Sequence, residues 1–578
     1  MKSKKGFFLV FSLVLLALPS VVWAAVFDVT NMTEFQSALN TAESNTEDDT
    51  INVESGTYNV TTTLTYEPSG NENYSLSING AGAVSTILDG GDTNQIIMID
   101  TSNLSDDSNA HIIIRGITLR KGKSGGNGGG LYVETKHAFI TVEDSEFEGN
   151  SANDRGGGAY VDSFYGTLTL TNNIFSGNTV GFLGGGAHAC TGYGMVTLTN
   201  NTFSGNSAYE AGGAYAASTG GTGGGPVTLT NNSFSGNAAT NYAGGAFALS
   251  FFEPVTLTNN TFSGNNAESY GGGVYVVASP WGDIALINNI FSDNVSSRGG
   301  GIYAYNSKVT LTNNTISGNS GTYGGGLEIN IFYDNVMIDI YNNIIWANTA
   351  TDNGNDIYID GDYDDDGAGT TVNLHNNDYS DLYISDGDNL SQSNNIDADP
   401  LLTSGFHLRA LSPCIDTGTN DAPELPATDF EGDPRIIDGD NDGTVIVDMG
   451  ADEYLVGHPV PDVKANGSDG PVTITQLDNL CVTVTLDPGI YSGVQADWWV
   501  LANTPFGWYY YNLNGWRPGI SVTYQGSLFD LDFKEVLNTS GLPIGTYNFY
   551  FGVDGNVNGV IDDPLCYDSV GVNITPKK

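Results

Sequence analysis

Three short acidic stretches carry the residue types that bind a hard cation. In each, Asp or Asn alternates with other residues and a glycine follows. The stretches comprise Asp362, Asp364 and Asp366; Asp438, Asp440 and Asp442, with Asp448 further on; and Asp554, Asn556 and Asn558, with Asp562 close behind. Oxygen side chains at this spacing can wrap Ca²⁺, although none of the stretches has the Glu that ends an EF-hand loop. The second and third stretches predict structural Ca²⁺ sites, and acidic surface turns are the alternative.

A second set of residues could bind sugar rings or a protein partner. The second residue after each of a series of glycine clusters is aromatic or a histidine. These residues are Tyr132, Tyr160, His188, Tyr215, Phe247, Tyr275 and Tyr303. If each lies on a strand whose preceding residue points inward, the set forms an outward aromatic column. Such rings either stack on one another, at about 0.2–1 kcal/mol per pair, or present a binding platform.

The element that must position these residues is a repeat. The segment VTLTNNTFSGN begins at Val196 and again at Val255, with near copies from Leu168 and Val227. Its motif Phe-x-Gly-Asn, or a close variant, recurs with the aromatic residue or Ile at 147, 175, 203, 234, 262, 291, 316 and 345. Each unit contains three short alternating segments, which is typical of one coil of a parallel β-helix. The predicted fold class is all-β: a right-handed parallel β-helix followed by a small antiparallel β-sandwich.

Repetition of the same letters places like side chains in register. Stacked coils lie about 4.8 Å apart, so each Phe is expected above the previous Phe in the interior. The same register predicts a ladder of Asn at one bend, where Asn also tolerates left-handed backbone geometry. The ladder positions are Asn173, Asn201, Asn232, Asn260, Asn289, Asn314 and Asn343.

The pattern GGGAY…NNIFSGN resembles the polymorphic outer-membrane-protein repeat, whose hallmarks are a Gly-Gly-Ala-Ile-like motif and Phe-x-x-Asn. That family belongs to the pectin-lyase-like right-handed β-helices. The resemblance covers roughly residues 128–348 and implies a surface or secreted protein, often an adhesive one. The later segments ADPLLTSGFHLRALSPCIDTGTND and VDMGADEY resemble the closing segment of many bacterial surface β-helix proteins.

Composition changes along the chain predict its domains. A basic start and an apolar run before Ala24 predict a secretory signal at 1–24. The β-helix is expected to have its N-terminal cap and first coils at 25–127, its repeat coils at 128–348, and its final coils and closing segment at 349–458. A linker at 459–470 and a β-sandwich at 471–578 follow, where the glycine clusters stop.

The formal net charge of −48 restricts the partners. Nucleic acid and anionic lipid would be repelled, and the mature chain has no run that could span a membrane as a helix. We expect an exported protein, extracellular or on the outer surface of a bacterium. Cys481 and Cys566 could form a disulfide in that compartment, whereas Cys190 and Cys414 are expected to be small buried residues.

The sequence favours a secreted or cell-surface, non-enzymatic, adhesin-like protein that binds an extracellular glycan or cell-surface partner. The alternatives are a polysaccharide-active lyase or hydrolase and an architectural spacer. Basic residues within 128–348 are few and scattered, so no catalytic residue is predicted. An enzyme needs carboxylates or a base that converge in one groove, whereas a binding rod needs only a continuous exposed face.

Overall fold

The computed structural model describes residues 24–70, 72–221, 223–278, 282–305, 307–331, 336–361, 370–384, 389–403, 405–409, 411–439, 443–455, 459–468, 472–561 and 565–576. Most of the chain winds into a right-handed parallel β-helix with three long parallel sheets, which confirms the predicted fold class. Each complete coil adds one strand to each sheet, and each strand pairs with its equivalents in the neighbouring coils; the first and last strands of sheet 1 belong to incomplete coils.

Sheet 1 has 14 strands. They are Ala25–Val29, Asp49–Val53, Leu76–Gly80, His111–Arg115, Phe139–Glu143, Leu168–Thr171, Val196–Thr199, Val227–Thr230, Val255–Thr258, Asp283–Ile287, Lys308–Thr312, Met337–Tyr341, Thr371–His375 and Asn389–Ser393. Sheet 2 has 12 strands. They are Gly56–Asn59, Thr86–Asp89, Thr118–Arg120, Glu146–Glu148, Ile174–Ser176, Thr202–Ser204, Ser233–Ser235, Thr261–Ser263, Ile290–Ser292, Thr315–Ser317, Ile344–Trp346 and Asp378–Tyr379.

Sheet 3 also has 12 strands. They are Leu64–Tyr66, Ile97–Asp100, Leu131–Thr135, Ala159–Ser163, Ala187–Thr191, Ala214–Ser218, Ala246–Ser250, Val274–Val277, Ile302–Tyr305, Leu327–Ile331, Ile357–Gly361 and Leu382–Ile384. Two minor ladders lie between sheets 2 and 3 along the chain. They comprise Lys123–Ser124, Ser151–Ala152, Thr179–Val180, Ser207–Ala208, Ala238–Ala239 and Asn266–Ala267, and the pair Ser320–Tyr323 with Thr349–Asn353.

The interior is built from superposed identical residues, as the repeat predicts. Six Phe side chains are fully buried, and successive rings stack with centroids 4.6–4.8 Å apart and planes within 7°. They are Phe147, Phe175, Phe203, Phe234, Phe262 and Phe291. Val, Leu, Ile and Ala from the inward strand positions complete one continuous core.

Two asparagine ladders run along the bends on either side of sheet 2. The predicted one is present: Asn201 donates from Nδ2 to Asn232 Oδ1 at 3.0 Å and to the Leu170 carbonyl at 2.8 Å. The second uses the Asn that ends the Phe-x-Gly-Asn motif, and here Asn206 Nδ2 donates to Asn237 Oδ1 and to the Phe175 carbonyl, both at 2.9 Å. Each ladder hydrogen-bonds buried backbone groups at a bend where no sheet can do so.

The first coil is capped by the helix Met32–Ala42. Asn31 caps its N-terminus, because its side chain accepts a hydrogen bond from the Glu34 N–H at 3.0 Å. Phe35 and Leu39 on one face are buried and join the β-helix core. This amphipathic helix covers apolar residues that no preceding coil covers. Within the described part of the chain, no helix is long and apolar enough to span a membrane.

After the last coil the chain turns back along the β-helix. We call residues 394–455 the strap; its described residues form isolated bridges but no strand. The strap lies on the bend between sheets 1 and 2, where Asn288, Asn313, Asn342 and Asn376 donate side-chain hydrogen bonds to its carbonyl groups. The equivalent Asn172, Asn200 and Asn231 in earlier coils are exposed.

The C-terminal module contains two sheets around its own apolar core. One sheet contains Val460–Ala465, Asn479–Asp487 and Leu531–Ser540. The other contains Val472–Thr475, Leu565–Thr575, Gly545–Asp554, Gln495–Thr504, Gly507–Tyr511, Trp516–Pro518 and Tyr524–Ser527. A 3-10 turn spans Gly489–Tyr491. Pairing is antiparallel except between Val472–Thr475 and Leu565–Thr575, which run parallel.

Candidate functional site

The aromatic column lies in register on the outer side of sheet 3, but its rings cover one another. Tyr132, Tyr160, His188, Tyr215 and Phe247 stack face to face with centroids 5.0–5.2 Å apart. Tyr275 and Tyr303 continue the column with edge-to-face contacts. Sugar rings bind on free ring faces, so this geometry favours mutual stacking over the predicted platform.

Turn segments cover the column from outside. Tyr242 and Tyr270, from the bends that precede sheet 3, contact Tyr275 and Tyr303 edge-on. Ala211 and Ala243 pack with Phe247 in a separate apolar cluster. As a result Tyr160, His188, Phe247 and Tyr303 are buried, whereas Tyr132, Tyr215 and Tyr275 are half-buried.

An ion pair between a buried Glu and a partly exposed Arg follows the seven predicted residues of the column. Glu328 takes the column position after Tyr303, and its Oε1 lies 2.5 Å from Arg298 Nη2. Burial raises the pKa of Glu328 to about 8 even though Arg298 opposes the shift. The Arg298 guanidinium lies 5.8–6.0 Å from the ring centroids of Tyr270, Tyr303 and Tyr323, so aromatic faces surround the pair.

A cavity of about 810 Å³ opens where the β-helix, the strap and the C-terminal module meet. Its β-helix side carries Asn231, Asn232, Ser233, Asn259 and Thr261. Its strap side carries His407, Leu408, residues 430–433 and residues 452–455; the module contributes residues 459–461, Cys566 and Tyr567. The Asn row on which the strap lies thus continues into this cavity as a polar wall.

Three titratable side chains converge at this cavity. His407 Nδ1 lies 3.1 Å from Asp452 Oδ1 and 3.4 Å from Glu431 Oε2. One atom from each of the three residues can be chosen so that all three atoms lie within 4.8 Å of one another. Asp452 is buried and its Oδ2 accepts a hydrogen bond from the Leu408 N–H, whereas the Glu431 side chain is 35% exposed. Asp452 is therefore fixed, and Glu431 is the carboxyl group that solvent or a ligand can reach.

The electrostatics differ sharply among these three residues. Burial alone would lower the pKa of His407, but Asp452 and Glu431 reverse the effect and raise it to about 9. Burial raises the pKa of Glu431 to about 7, although the His407 charge lowers it in part. Near neutral pH the cavity thus holds an imidazolium beside a carboxyl group that exchanges its proton, which is the state a general acid requires.

Other strap residues hold the two carboxyl groups in place. Asp429 Oδ1 accepts hydrogen bonds from the backbone N–H groups of Glu431, Gly432 and Asp433, each at 2.9 Å, and so fixes the turn that carries Glu431. Arg435 is fully buried, and its Nη1 donates to the Asp452 carbonyl at 2.8 Å. The site is built on charged residues that are themselves buried and hydrogen-bonded.

The structure describes two of the four predicted Ca²⁺ ligands of the second acidic stretch, Asp438 and Asp448. Asp440 and Asp442 lie outside the described residues. Asp438 Oδ2 accepts a hydrogen bond from the Gly443 N–H at 3.0 Å. Asp448 is buried instead, and its carboxylate accepts from the N–H groups of Asp416 and Tyr454. Asp448 therefore stabilises the strap backbone, because both of its oxygens are used there.

In the third acidic stretch, the structure describes Asp554, Asn556 and Asn558. Asp562 lies outside the described residues. Asp554 accepts from Trp499 Nε1 at 2.7 Å and from the Asn556 N–H at 3.0 Å, while the Asn558 N–H donates to Asp497. Asp497 pairs with Asp554 across neighbouring strands, and both are buried. Sequence reasoning missed Asp497 because it lies 57 residues before Asp554 on another strand.

The predicted disulfide between Cys481 and Cys566 is wrong for this structure, in which none of the four described cysteines forms a disulfide. Cys481 lies in the three-stranded sheet and its thiol donates to Glu535 at 3.5 Å. Cys566 lies in the other sheet and lines the cavity. Cys481 alternates with the buried Leu480 and Val482, so its thiol points away from the module core, whereas Cys566 packs against that core.

His407, Glu431 and Asp452 were not among the residues predicted from the sequence to form a site. They come from three different turns of the strap, 24 and 21 residues apart, with no periodic pattern. His407 and Asp452 lie in the segments FHLRALSPCIDTG and ADEY, which resemble a closing segment, whereas Glu431 lies between these segments.

No protein-family model matches the sequence, and no curated protein matches it. Two solved structures are similar to parts of the chain. The A-module of mannuronan C-5 epimerase AlgE4 from Azotobacter vinelandii is 16% identical, with a TM-score of 0.28, and covers 61% of this chain and 95% of its own. A mannuronic-acid-specific polysaccharide family 6 lyase from the human gut microbiota is 10% identical, with a TM-score of 0.31, and covers 65% and 92%.

Proposed function

We propose that this protein is a polysaccharide-active enzyme, most simply a glycoside hydrolase, with its active centre at His407, Glu431 and Asp452. One observation carries the proposal: two carboxyl groups and an imidazolium converge on a cavity of about 810 Å³. That convergence is the feature that distinguishes an enzyme from a binding rod. The similarity to the two solved structures is too low to support it.

Glu431 is the general acid in this proposal. Its pKa of about 7 keeps a fraction protonated at neutral pH, and its side chain reaches the cavity. The proton passes to the glycosidic oxygen as that bond breaks. Asp452 lines the same cavity and stabilises the positive charge that develops on the sugar ring. Water then adds to the anomeric carbon, and the deprotonated Glu431 takes up the proton that the water loses. His407 is a positioning residue, because it lies between the two carboxyl groups.

The charge of the site favours a neutral glycan. Asp433 lines the cavity beside Glu431 and Asp452, and the whole chain has a net charge of −48. An anionic uronate chain would be repelled from such a surface. Asn231 and Asn259 on the opposite wall offer amide groups that hydrogen-bond sugar hydroxyls without a charge.

The test is release of reducing ends from a panel of neutral and uronate polysaccharides. We expect activity on a neutral member, and Glu431→Gln should lower kcat by about 100-fold or more, because a general acid contributes at least that much. Glu268→Gln, at an exposed surface position, is the matched control and should leave the rate unchanged. The rate should fall as pH rises above about 7, where Glu431 loses its proton.

Two results would contradict the hydrolase proposal. One is that no polysaccharide of the panel releases reducing ends; the other is that a folded Glu431→Gln variant releases them at the wild-type rate. Unsaturated products from a uronate chain would instead assign the lyase alternative and refute the charge argument. A thermal melt of each variant separates loss of chemistry from loss of folding.

A second candidate is non-enzymatic, adhesin-like binding through a different aromatic surface. Phe164, Tyr165 and Tyr193 are exposed by 39–51%, and they form a strip with His137 at the bend between sheets 3 and 1. Unlike the column, this strip keeps ring surface open to a glycan or cell-surface partner. Changing Phe164, Tyr165 and Tyr193 together to Ser should abolish binding on a glycan array or to cells. Unchanged binding by the folded variant would argue against this role.

Export and calcium are also proposals. The secretory signal at 1–24 predicts a secreted chain that begins at Ala25, which N-terminal sequencing would check. Two adjacent buried carboxylates, Asp497 and Asp554, support Ca²⁺ at the third acidic stretch, because a cation would relieve their repulsion. Chelator should then lower the melting temperature of the C-terminal module; an unchanged melt would argue against bound calcium.

A further inference from the structure

We propose that Asp162, His188 and Cys190 form a binding site for a borderline-soft divalent metal ion of the zinc class. All three side chains project from the outer side of sheet 3. The strand register places Asp162 beside Cys190 in the next coil, and His188 lies two residues before Cys190 on the same strand. One ligand atom from each residue lies within 4.8 Å of the other two.

The unsatisfied state of His188 is the independent observation. Its side chain is 1% exposed and stacks between the rings of Tyr160 and Tyr215. Neither ring nitrogen has a hydrogen-bond partner among the described residues. Buried polar atoms in folded proteins are nearly always paired, and an imidazole nitrogen without a partner is a ready metal ligand. The stacked rings also fix the plane in which that nitrogen must bind.

The protonation states fit a metal ligand set. Burial lowers the pKa of His188 to about 3, so the imidazole is neutral and its lone pair is available at neutral pH. Burial raises the pKa of Asp162 to about 6 and that of Cys190 to about 12. These shifts show that the metal-free pocket disfavours anions. A divalent ion would reverse that preference and displace the thiol proton.

The donor set selects the type of metal. One thiolate, one imidazole and one carboxylate suit Zn²⁺ or Co²⁺, whereas Ca²⁺ requires oxygen ligands only. Ligands 2.0–2.3 Å from one ion lie about 3.5 Å apart, so the three side chains must close by roughly 1 Å. With metal bound, the two positive charges of the ion and the one of neighbouring Arg155 balance the three negative charges of Asp162, Cys190 and neighbouring Glu134.

The repeat supplies variants that keep the packing. In His188→Phe, a phenylalanine occupies the column position of His188. Phe247 occupies the equivalent position two coils later. In Cys190→Ala, an alanine occupies the position of Cys190. Ala217 occupies the equivalent position in the next coil. Both variants should therefore fold. Cys481→Ala, which removes a thiol from the C-terminal module, is the matched control.

The experiment uses the full chain and Co²⁺ as a spectroscopic probe for the site. We expect a thiolate-to-cobalt charge-transfer band in the near ultraviolet for the wild type and the Cys481→Ala control. The band should be absent from Cys190→Ala, and His188→Phe should raise the Kd for Zn²⁺ by roughly 100-fold or more, because one of three ligands is lost. Zn²⁺ should also protect Cys190 of the wild type from alkylation, which mass spectrometry reports.

Absence of the charge-transfer band in the wild type, or its persistence in Cys190→Ala, would overturn the proposal. So would alkylation of Cys190 at the same rate with and without Zn²⁺. None of these measurements depends on hydrolytic activity, so the outcome is separate from that of the proposed active centre at His407.

Discussion

The repeat coils and the strap satisfy their buried polar groups in opposite ways. In the coils, each ladder Asn is hydrogen-bonded by the Asn one coil on, as Asn201 is to Asn232. In the strap, one charged residue bonds several groups: Arg435 donates hydrogen bonds to the carbonyls of Gly450, Ala451 and Asp452. Because the same hydrogen bond is repeated from coil to coil, the structure of the coils can be predicted from the sequence and loses less when one bond is lost. The strap instead depends on a few individual residues.

The largest effect is expected from Arg435→Met. This fully buried guanidinium also contacts Asn288 Oδ1 at 2.7 Å and Glu453 Oε2 at 3.3 Å. Its loss removes the charge partner of Glu453 and the hydrogen bonds to Asn288 Oδ1 and the Asp452 carbonyl. The free energy of unfolding should fall by about 3–5 kcal/mol, measured by denaturant titration. Arg409→Met is the control: Arg409 is partly exposed beside Asp462, and its loss should change stability by less than about 1 kcal/mol. Equal effects of the two substitutions would refute the contrast.

A smaller loss is expected from Asn206→Ala in the second ladder. The side chain donates to Asn237 and Phe175 and accepts from the N–H and Nδ2 of Asn178. Its removal should lower the free energy of unfolding by about 2–4 kcal/mol, because buried backbone groups lose their partner. Asn200→Gly is the control, since Asn200 is exposed with φ of 56°, and glycine adopts that conformation freely. If Asn206→Ala lowers stability no more than Asn200→Gly does, the ladder does not contribute to the stability of the β-helix.

The smallest of the expected effects is a dependence of stability on pH that is confined to the strap. His407 has its pKa raised from 6.5 to about 9, so its stabilisation is complete below about pH 6.5 and is lost as pH rises through 9. Burial raises the pKa of Glu453 and Asp448 too, and these groups also favour the folded state at lower pH. Hydrogen exchange of the strap should therefore report a loss on the order of 2 kcal/mol between pH 6 and pH 10. His407→Gln should flatten this dependence; a strap that becomes more protected at high pH would contradict the sign.

The periodic features could be predicted from the sequence, because a fixed spacing translates directly into stacking. The stack of Phe rings from Phe147 to Phe291 and the Asn ladder through Asn201 follow from residue types that recur every 25 to 31 positions. The second ladder through Asn206 was available from the same motif and was missed. The order of the aromatic column was predictable, but its burial was not, because Tyr242 and Tyr270 fold back over it from bends.

The candidate site could not be predicted for the opposite reason. His407, Glu431 and Asp452 meet only because Asp429 and Arg435 fix two turns of irregular backbone. No hydrophobic period marks such turns, and their partners, such as Asn288, lie more than a hundred residues away. The Cys481–Cys566 prediction failed because it rested only on the two cysteines sharing one module, whereas strand alternation turns Cys481 away from the core against which Cys566 packs.

The row of Asn side chains beneath the strap has a consequence for the evolution of this protein. Asn288, Asn313, Asn342 and Asn376 hold the strap, while Asn172, Asn200 and Asn231 present the same group to solvent or to the cavity. Gain or loss of a whole coil upstream would change the length of the rod and leave the docking surface intact. The molecule can therefore vary its reach in steps of one coil, with the C-terminal module and its junction preserved.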